Sequence, residues 1–304
     1  MTKKIVLYLL ALSAIAIYSC KTNYPKADLR YTLIESPAAR ERGENLTWNV
    51  CGQCHYNRET GKFTGTQMKD LPKFMGKVYA ANITQSTTYG ELHQYTNAEL
   101  AYLIKTGITH DGKYIPYMIR PTMADDDVND IISYLRSEAP EVKPGDINPG
   151  NTKIKAFGKL ATQLSGKPQP YLTGIKRPAK DDAVASGRYL VDIIGCFHCH
   201  SKSIISLNYL HAEESKGYMA GGLKFKDENG RKVWASNLSP DKETGIGMYT
   251  NAEFFMAVTH GKALGGRELR YPMKRFKHLT QKQSDDIFAY LKTLPAAHHV
   301  VKGR

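Results

Sequence analysis

A Cys-x-x-Cys-His motif occurs twice in this chain and uses four of its five cysteines. The two copies consist of Cys51, Cys54 and His55, and of Cys196, Cys199 and His200. Two thiols separated by two residues can each bond to a vinyl group on one edge of a haem, and the adjacent histidine then lies under the iron as an axial ligand. The chain is therefore predicted to fold around two covalently bound haem c groups.

Other uses of paired cysteines fit the sequence less well. A zinc ribbon needs its two Cys-x-x-Cys pairs about 15–20 residues apart, whereas the pairs at Cys54 and Cys196 lie far apart in the chain and each has its own histidine. A redox-active pair needs a thioredoxin-like βαβ context, which the sequence around neither motif suggests. A structural disulfide within each motif is the remaining alternative.

The N-terminus has the features of an export signal. Residues 1–20 begin with Lys3 and Lys4, continue as a short apolar stretch and end at Ser19 and Cys20. This stretch is typical of a secretory signal and short for a membrane span. Because Cys20 directly follows a small residue, we expect it to be lipidated and to anchor a bacterial lipoprotein. Cleavage nearby or an uncleaved anchor are the alternatives, and all three place the remaining chain outside the cytoplasm.

Each haem motif lies in a repeated sequence unit, here called the first repeat (residues 38–138) and the second repeat (residues 182–296). Matching segments are Ala81–Thr84 with Ser236–Ser239, Tyr95–Glu99 with Tyr249–Glu253, and Ile131–Ser137 with Ile287–Thr293. A methionine near a proline precedes the last of these segments in both repeats, as Met118 and Met273. The order helix, motif, loops, helix, methionine loop, helix is therefore predicted twice.

The predicted fold class is all-α. Thr96 and Thr250 each precede a glutamate by three residues, a helix-starting arrangement, and Thr280 is a third expected cap. Gly43 and Gly187 lie in the helices upstream of the motifs. Residues 139–181 are rich in proline and glycine and are predicted to be a linker, with a short helix at Ile154–Leu164.

These features resemble a tandem class I cytochrome c. The resemblance rests on the haem motifs, the Asn-Ile-Thr and Asn-Leu-Ser segments, Thr244–Gly247, the Pro-Met loops and the closing Tyr-Leu helices. The stretch SNLSPDKETGIG is similar to the cytochrome subunits of periplasmic alcohol, aldehyde and sugar dehydrogenases. The resemblance implies two cytochrome c-like domains, with terminal helices that cross at Gly43 and at Gly187.

The resemblance also implies a methionine opposite each axial histidine. Met118 and Met273 are expected to be these ligands because they occupy the same place in both repeats. Met123 could compete for the first iron, although it matches Leu279, an apolar core position. His110 and His260 could instead give bis-histidine haems. Met219 and Met256 have no counterpart methionine and are expected in the core.

Two six-coordinate haems favour a non-enzymatic electron carrier between a periplasmic dehydrogenase or quinol-oxidising complex and an oxidase or other cytochrome. The alternatives are a dihaem enzyme, such as a cytochrome c peroxidase with one open haem site, and a structural lipoprotein without haem. The formal charge is +13, or +11 once Lys3 and Lys4 leave with the signal. This basic charge suggests acidic redox partners or anionic lipid headgroups rather than nucleic acid. The expected location is the periplasmic side of the inner or outer membrane, through a lipid anchor.

Overall fold

Helices dominate the computed structural model, which describes residues 23–302. They are α1 (Pro37–Leu46), α2 (Gly52–His55), α3 (Asn97–Thr106), α4 (Asp125–Leu135), α5 (Ala156–Ser165), α6 (Ala183–Ile194), α7 (Cys196–His200), α8 (Asn251–Phe255) and α9 (Gln281–Thr293). Two short antiparallel pairs join β1 (Gly76–Lys77) to β2 (Lys153–Ile154) and β3 (Lys224–Lys226) to β4 (Lys232–Trp234). The prediction of a mainly helical chain is confirmed.

The first and last helices of each repeat cross in direct backbone contact. Helix α1 packs on α4, and α6 packs on α9. A Cβ atom on Gly43 would lie 1.9 Å from the carbonyl oxygen of Asp130, and one on Gly187 would lie 1.8 Å from that of Asp286. Because neither distance leaves room for a side chain, the glycine in each first helix permits the crossing.

Reciprocal side-chain bonds fix the starts of three helices. At α3 the hydroxyl of Thr96 accepts the amide proton of Glu99 at 3.2 Å, and the Glu99 carboxylate accepts that of Thr96 at 2.8 Å. The same arrangement joins Thr250 to Glu253 at α8 and Thr280 to Gln283 at α9. All three caps were predicted, and they satisfy amides that the first helical turn leaves without partners.

Residues 139–181 pack against the first repeat. The side chain of Val142 is fully buried, and its carbonyl accepts the amide proton of Gln85 at 2.9 Å. Strand β2 pairs with β1, which brings Ile154 opposite Gly76. The predicted short helix is present but begins at Ala156, because Ile154 is taken up by this pairing.

The two repeats contact each other through side chains and backbone. The Trp48 and His278 rings stack with centroids 4.1 Å apart and an angle of 6° between their planes. Asn45 donates to the carbonyl of His278 at 2.6 Å and accepts from the Gln283 amide at 2.7 Å. The Tyr189 hydroxyl of the second repeat accepts the amide proton of Ala124 in the first at 3.0 Å. These contacts join the two repeats directly.

The expected lipidation site, Cys20, lies outside the described residues, as does the export signal. Between residues 23 and 302, the structure contains no helix that is both long and apolar enough to cross a bilayer.

Candidate haem-binding sites

Each Cys-x-x-Cys-His motif follows directly from the first helix of its repeat. In the first repeat a π-helical turn, Thr47–Cys51, joins α1 to α2. In the second repeat α6 is capped by Gly195, whose φ of +85° lies in the left-handed region that glycine tolerates, and α7 starts at the next residue. Both motifs therefore lie on a short helical turn whose direction the preceding helix sets.

The two motif histidines have nearly the same environment. His55 is 6% exposed and His200 is 7% exposed. The Nδ1 of His55 lies 2.7 Å from the carbonyl oxygen of Ala81, and the Nδ1 of His200 lies 2.7 Å from that of Ser236. A carbonyl can only accept, so Nδ1 carries the proton and the lone pair is on Nε2. Burial lowers the pKa of both imidazoles, which favours this neutral form.

Two asparagines hold the loops that supply these carbonyls. The Asn82 amide donates to the carbonyl of Gly145 at 2.7 Å, and its oxygen accepts the amide proton of Thr84 at 2.9 Å. Asn237 bonds in the same way to the carbonyl of Ala297, at 2.7 Å, and to the amide of Ser239, at 2.9 Å. The sequence comparison of the repeats marked these asparagines as matching positions but did not reveal this role.

The four thiols of the motifs are free in the structure described here. Burial raises the pKa of Cys51, Cys196 and Cys199 to about 12 and raises that of Cys54 as well. Within residues 23–302, no group of three or more His, Cys, Asp or Glu side chains is arranged to hold a metal ion. Neither the zinc alternative nor the disulfide alternative gains support from this arrangement.

The residues present fit a haem at both motifs. Each site offers two neighbouring free thiols and a buried imidazole whose Nδ1 is already engaged, so that Nε2 is the nitrogen left for iron. A backbone carbonyl on Nδ1 is the usual outer partner of a metal-bound histidine, because it fixes the tautomer and the orientation of the ring.

Met118 and Met273 lie in equivalent turns, between the middle helix and the last helix of their repeats. The amide of Met118 donates to the carbonyl of Ile115 at 3.3 Å, and that of Met273 donates to the carbonyl of Arg270 at 3.1 Å. Both side chains are partly buried. Met123, in contrast, is fully buried at the position that Leu279 occupies in the second repeat, as the sequence match predicted.

The two unmatched methionines differ from each other. Met219 is fully buried, as expected, but Met256 is 37% exposed, so its predicted core position was wrong. In this segment the buried hydrophobic side chains are those of Phe254 and Ala257, whereas Met256 between them faces solvent.

Three other histidines, His110, His198 and His260, lie in different surroundings. His260 is exposed, and its Nδ1 lies 2.7 Å from the Thr259 hydroxyl. His110 packs edge-on against the ring of Tyr95, with centroids 4.6 Å apart. His198, inside the second motif, packs between Phe197 and Tyr209, and its Nε2 has no hydrogen-bond partner in the described structure.

The helix crossing, the Cys-x-x-Cys-His motif and the buried histidine bonded to a loop carbonyl together define a c-type cytochrome domain. Residues 40–139 match the Cytochrome c family model, so the first repeat is a cytochrome c domain. A covalently bound haem c follows from that family.

Curated relatives extend the similarity over most of the chain. The fructose dehydrogenase cytochrome subunit of Gluconobacter japonicus is 29% identical over 265 residues, which cover 81% of this chain and 50% of the relative. The gluconate 2-dehydrogenase cytochrome c subunit of Pantoea cypripedii is 26% identical over 276 residues, which cover 84% of this chain and 59% of the relative. The alcohol dehydrogenase (quinone) cytochrome c subunit of Gluconacetobacter polyoxogenes is 34% identical over 116 residues, which cover 37% of this chain and 22% of the relative.

The chain spans only 50% of the length of the fructose dehydrogenase subunit and 59% of that of the gluconate 2-dehydrogenase subunit. The predicted resemblance to cytochrome subunits of dehydrogenases is confirmed. The alternative of a dihaem peroxidase gains no support from these relatives.

Proposed function

We propose that this chain is a dihaem c-type cytochrome that transfers electrons and converts no substrate itself. The observation that carries the proposal is the duplicated site, in which a buried histidine follows two free thiols and its Nδ1 lies 2.7 Å from a loop carbonyl in both repeats. The second site has the same local arrangement as the one inside the matched cytochrome c domain, which supports a second domain at residues 182–296 after a linker at 139–181.

In each site, three kinds of residue would hold the haem. Cys51 with Cys54, and Cys196 with Cys199, would form the thioether bonds, while Nε2 of His55 and of His200 would bind the iron. Met118 and Met273 would supply the sixth ligand. A bound haem c supplies a one-electron couple at its iron. Because both irons would then have six ligands, no coordination position is left for a substrate.

A dehydrogenase is the proposed electron donor. The support is that relatives matching more than four-fifths of this chain are named as cytochrome subunits of fructose and gluconate dehydrogenases. The acceptor would be an oxidase or another cytochrome. The export signal and Cys20 support a lipoprotein held on the periplasmic side of a membrane. Loss of Lys3 and Lys4 with the signal lowers the formal charge from +13 to +11, which suits an acidic partner surface or anionic lipid.

The number of haems is tested by the intact mass of the exported protein. The native chain is expected to show two haem additions, and a lipidated N-terminus at Cys20 with residues 1–19 removed. A Cys51→Ser/Cys54→Ser variant and a Cys196→Ser/Cys199→Ser variant should each retain one addition and serve as reciprocal controls. A native mass with a single haem, or with zinc, would refute the two-haem proposal.

The sixth ligands are tested by replacing each methionine with histidine. Met118→His and Met273→His are each expected to lower the reduction potential of one haem, because a thioether favours reduced iron more than an imidazole does. Spectroelectrochemical titration should show the reduced-to-oxidised ratio of that haem falling about tenfold or more at a fixed potential, which is 59 mV or more for one electron. Both ferric haems of the native protein should be low-spin.

Met123→Leu provides the matched control, because leucine is the residue at the equivalent position of the second repeat. It should leave both potentials unchanged. If it alters the first potential while Met118→His does not, Met123 is the ligand. A high-spin ferric haem in the native protein would instead favour the peroxidase alternative.

A further inference from the structure

Helix α5 and the turn that it packs against expose a group of large apolar side chains. Phe157 is 64% exposed, Leu160 is 44% exposed, and Phe74, whose ring centroid lies 5.4 Å from that of Phe157, is 41% exposed. Because Phe157 and Leu160 are three residues apart in the helix, they lie on the same side of it. Apolar side chains that are grouped on a surface in this way mark an interaction site.

The backbone of this region is fixed to the first repeat. A Cβ atom on Gly158 would lie 2.9 Å from the Cα atom of Met75, so the two backbones are in direct contact. The amide of Lys155 donates to the carbonyl of Met75 at 3.2 Å, and β2, which leads into α5, pairs with β1. Helix α5 therefore cannot rotate to bury Phe157 and Leu160 without breaking these contacts.

The same segments are strongly basic. The turn Lys73–Met75, the strands β1 and β2 and helix α5 with its cap carry five exposed lysines, which are Lys73, Lys77, Lys153, Lys155 and Lys159. The pairing of β1 with β2 brings Lys153 directly opposite Lys77, where like charges repel. Residues 147–180 contain seven Lys and Arg residues and no Asp or Glu. The five lysines with Phe74, Phe157 and Leu160 are here called the basic apolar patch, and its charge suits an anionic surface.

The end of α5 lies close to the first described residues of the chain. A Cβ atom on Gly166, directly after α5, would lie 3.0 Å from the hydroxyl oxygen of Tyr114. The Tyr114 ring packs edge-on against that of Tyr24 with centroids 6.0 Å apart, and the amide of Tyr24 donates to the carbonyl of Gly112 at 2.8 Å. Cys20 precedes Tyr24 by four residues, which span at most about 14 Å. An acyl group on Cys20 would therefore enter a bilayer on the side of the molecule where α5 ends.

We propose that the basic apolar patch docks on the anionic lipid surface of the membrane that holds the chain, and that it orients the first repeat against this membrane. The inference rests on the proposed membrane location. Lysines near a bilayer are attracted to anionic headgroups, and aromatic and leucine side chains beside them enter the boundary between headgroups and acyl chains. An acidic protein surface would match the lysines as well, but the position of α5 beside the expected anchor favours lipid.

Vesicle sedimentation tests the proposal on the haem-loaded mature chain with Cys20→Ser, exported behind a general secretory signal, so that no acyl group contributes. This chain should bind phosphatidylglycerol vesicles about tenfold or more tightly than phosphatidylcholine vesicles. Lys153→Gln/Lys155→Gln/Lys159→Gln and, separately, Phe157→Ser/Leu160→Ser should each weaken binding to phosphatidylglycerol about tenfold. Equal binding to both lipids, or native binding by either variant, would overturn the proposal.

Matched controls carry the same kinds of change in the second repeat. Lys224→Gln/Lys226→Gln/Lys232→Gln removes three exposed lysines from the β3–β4 pair, and Ile204→Ser/Ile205→Ser changes two residues that are 52% and 74% exposed. Both variants should bind within about twofold of the native affinity, because charges far from the lipid surface are screened. If the β3–β4 variant loses as much affinity as the α5 variant, net charge governs binding and the patch proposal is wrong.

Photocrosslinking in the cell envelope identifies what covers the patch. The native lipidated chain with Phe157→p-benzoylphenylalanine is expected to form phospholipid adducts, which mass spectrometry detects. A crosslink to an acidic protein or to a second copy of this chain, without lipid adducts, would overturn the proposal.

The intact mass separates this proposal from the membrane location beneath it. If Cys20 is acylated and the vesicle test fails, only the patch proposal fails. If Cys20 carries no acyl group, the lipoprotein proposal fails, whereas vesicle binding by the Cys20→Ser chain still decides whether the patch binds anionic lipid.

Discussion

Replacing Gly187 with alanine is expected to lower the free energy of unfolding by about 3 kcal/mol or more. The added methyl group would lie 1.8 Å from the carbonyl oxygen of Asp286, so α6 and α9 must move apart. Overpacking of a well-packed core usually costs about 1–3 kcal/mol, and here the obstacle is rigid backbone rather than a flexible side chain. Urea unfolding followed by circular dichroism measures the loss.

The control for this prediction is Val184→Ala in the same helix. Val184 is 41% exposed, and a surface change of this kind should stay within about 0.5 kcal/mol. Gly43→Ala should reproduce the Gly187 effect in the first repeat, where the methyl group would lie 1.9 Å from the Asp130 carbonyl oxygen. A native unfolding midpoint for Gly187→Ala would contradict the close helix crossing.

The second large effect is expected for Arg177→Ala. Arg177 bonds through Nε to Asp127 and through Nη2 to Asp130, and the side chains of these aspartates are only 6% and 3% exposed. Removing the guanidinium leaves the negative charges of two buried carboxylates without their shared positive partner. The free energy of unfolding should therefore fall by about 3 kcal/mol. The midpoint of urea unfolding should fall while the slope with denaturant stays constant.

Two remaining partners limit this loss without removing it. Arg42 bonds to Asp130 at 2.9 Å, and the Tyr189 hydroxyl donates to Asp127. Arg188→Ala is the matched control. Its Nη2 lies 2.7 Å from the carboxylate of Glu213, but the Arg188 side chain is 49% exposed and that of Glu213 is 41% exposed. An exposed pair contributes less than about 1 kcal/mol. If both variants lose equal stability, burial is not what makes the Arg177 cluster important.

Much of the local structure followed from short sequence patterns. The threonine caps were predicted because each depends on a few neighbouring residues, and the core position of Met123 followed from its match with Leu279. The crossings at Gly43 and Gly187 were expected from the resemblance to class I cytochromes c. The sequence also indicated the motif histidines, since their spacing from the cysteines is part of the haem signature.

Contacts between distant segments could not be predicted in this way. The bond from Arg120 to Ile193 and the cluster around Arg177 join residues that no periodicity links. The carbonyl partners of Asn82 and Asn237 come from beyond the closing helices, where the two repeats have no recognisable sequence in common. A single sequence shows that these residues are polar, but their partners are fixed only by the folded chain.

The hydrogen bonds of Asn82 and Asn237 determine how far past its last helix each repeat must extend in order to orient its motif histidine. Asn82 depends on the carbonyl of Gly145, ten residues past the end of α4, and Asn237 depends on that of Ala297, four residues past the end of α9. A fragment trimmed at either helix end would keep every cysteine, histidine and methionine of its site. It would nevertheless lose the anchor of the loop that orients the imidazole, so the useful boundary for an isolated unit is set by an irregular tail rather than by its last helix.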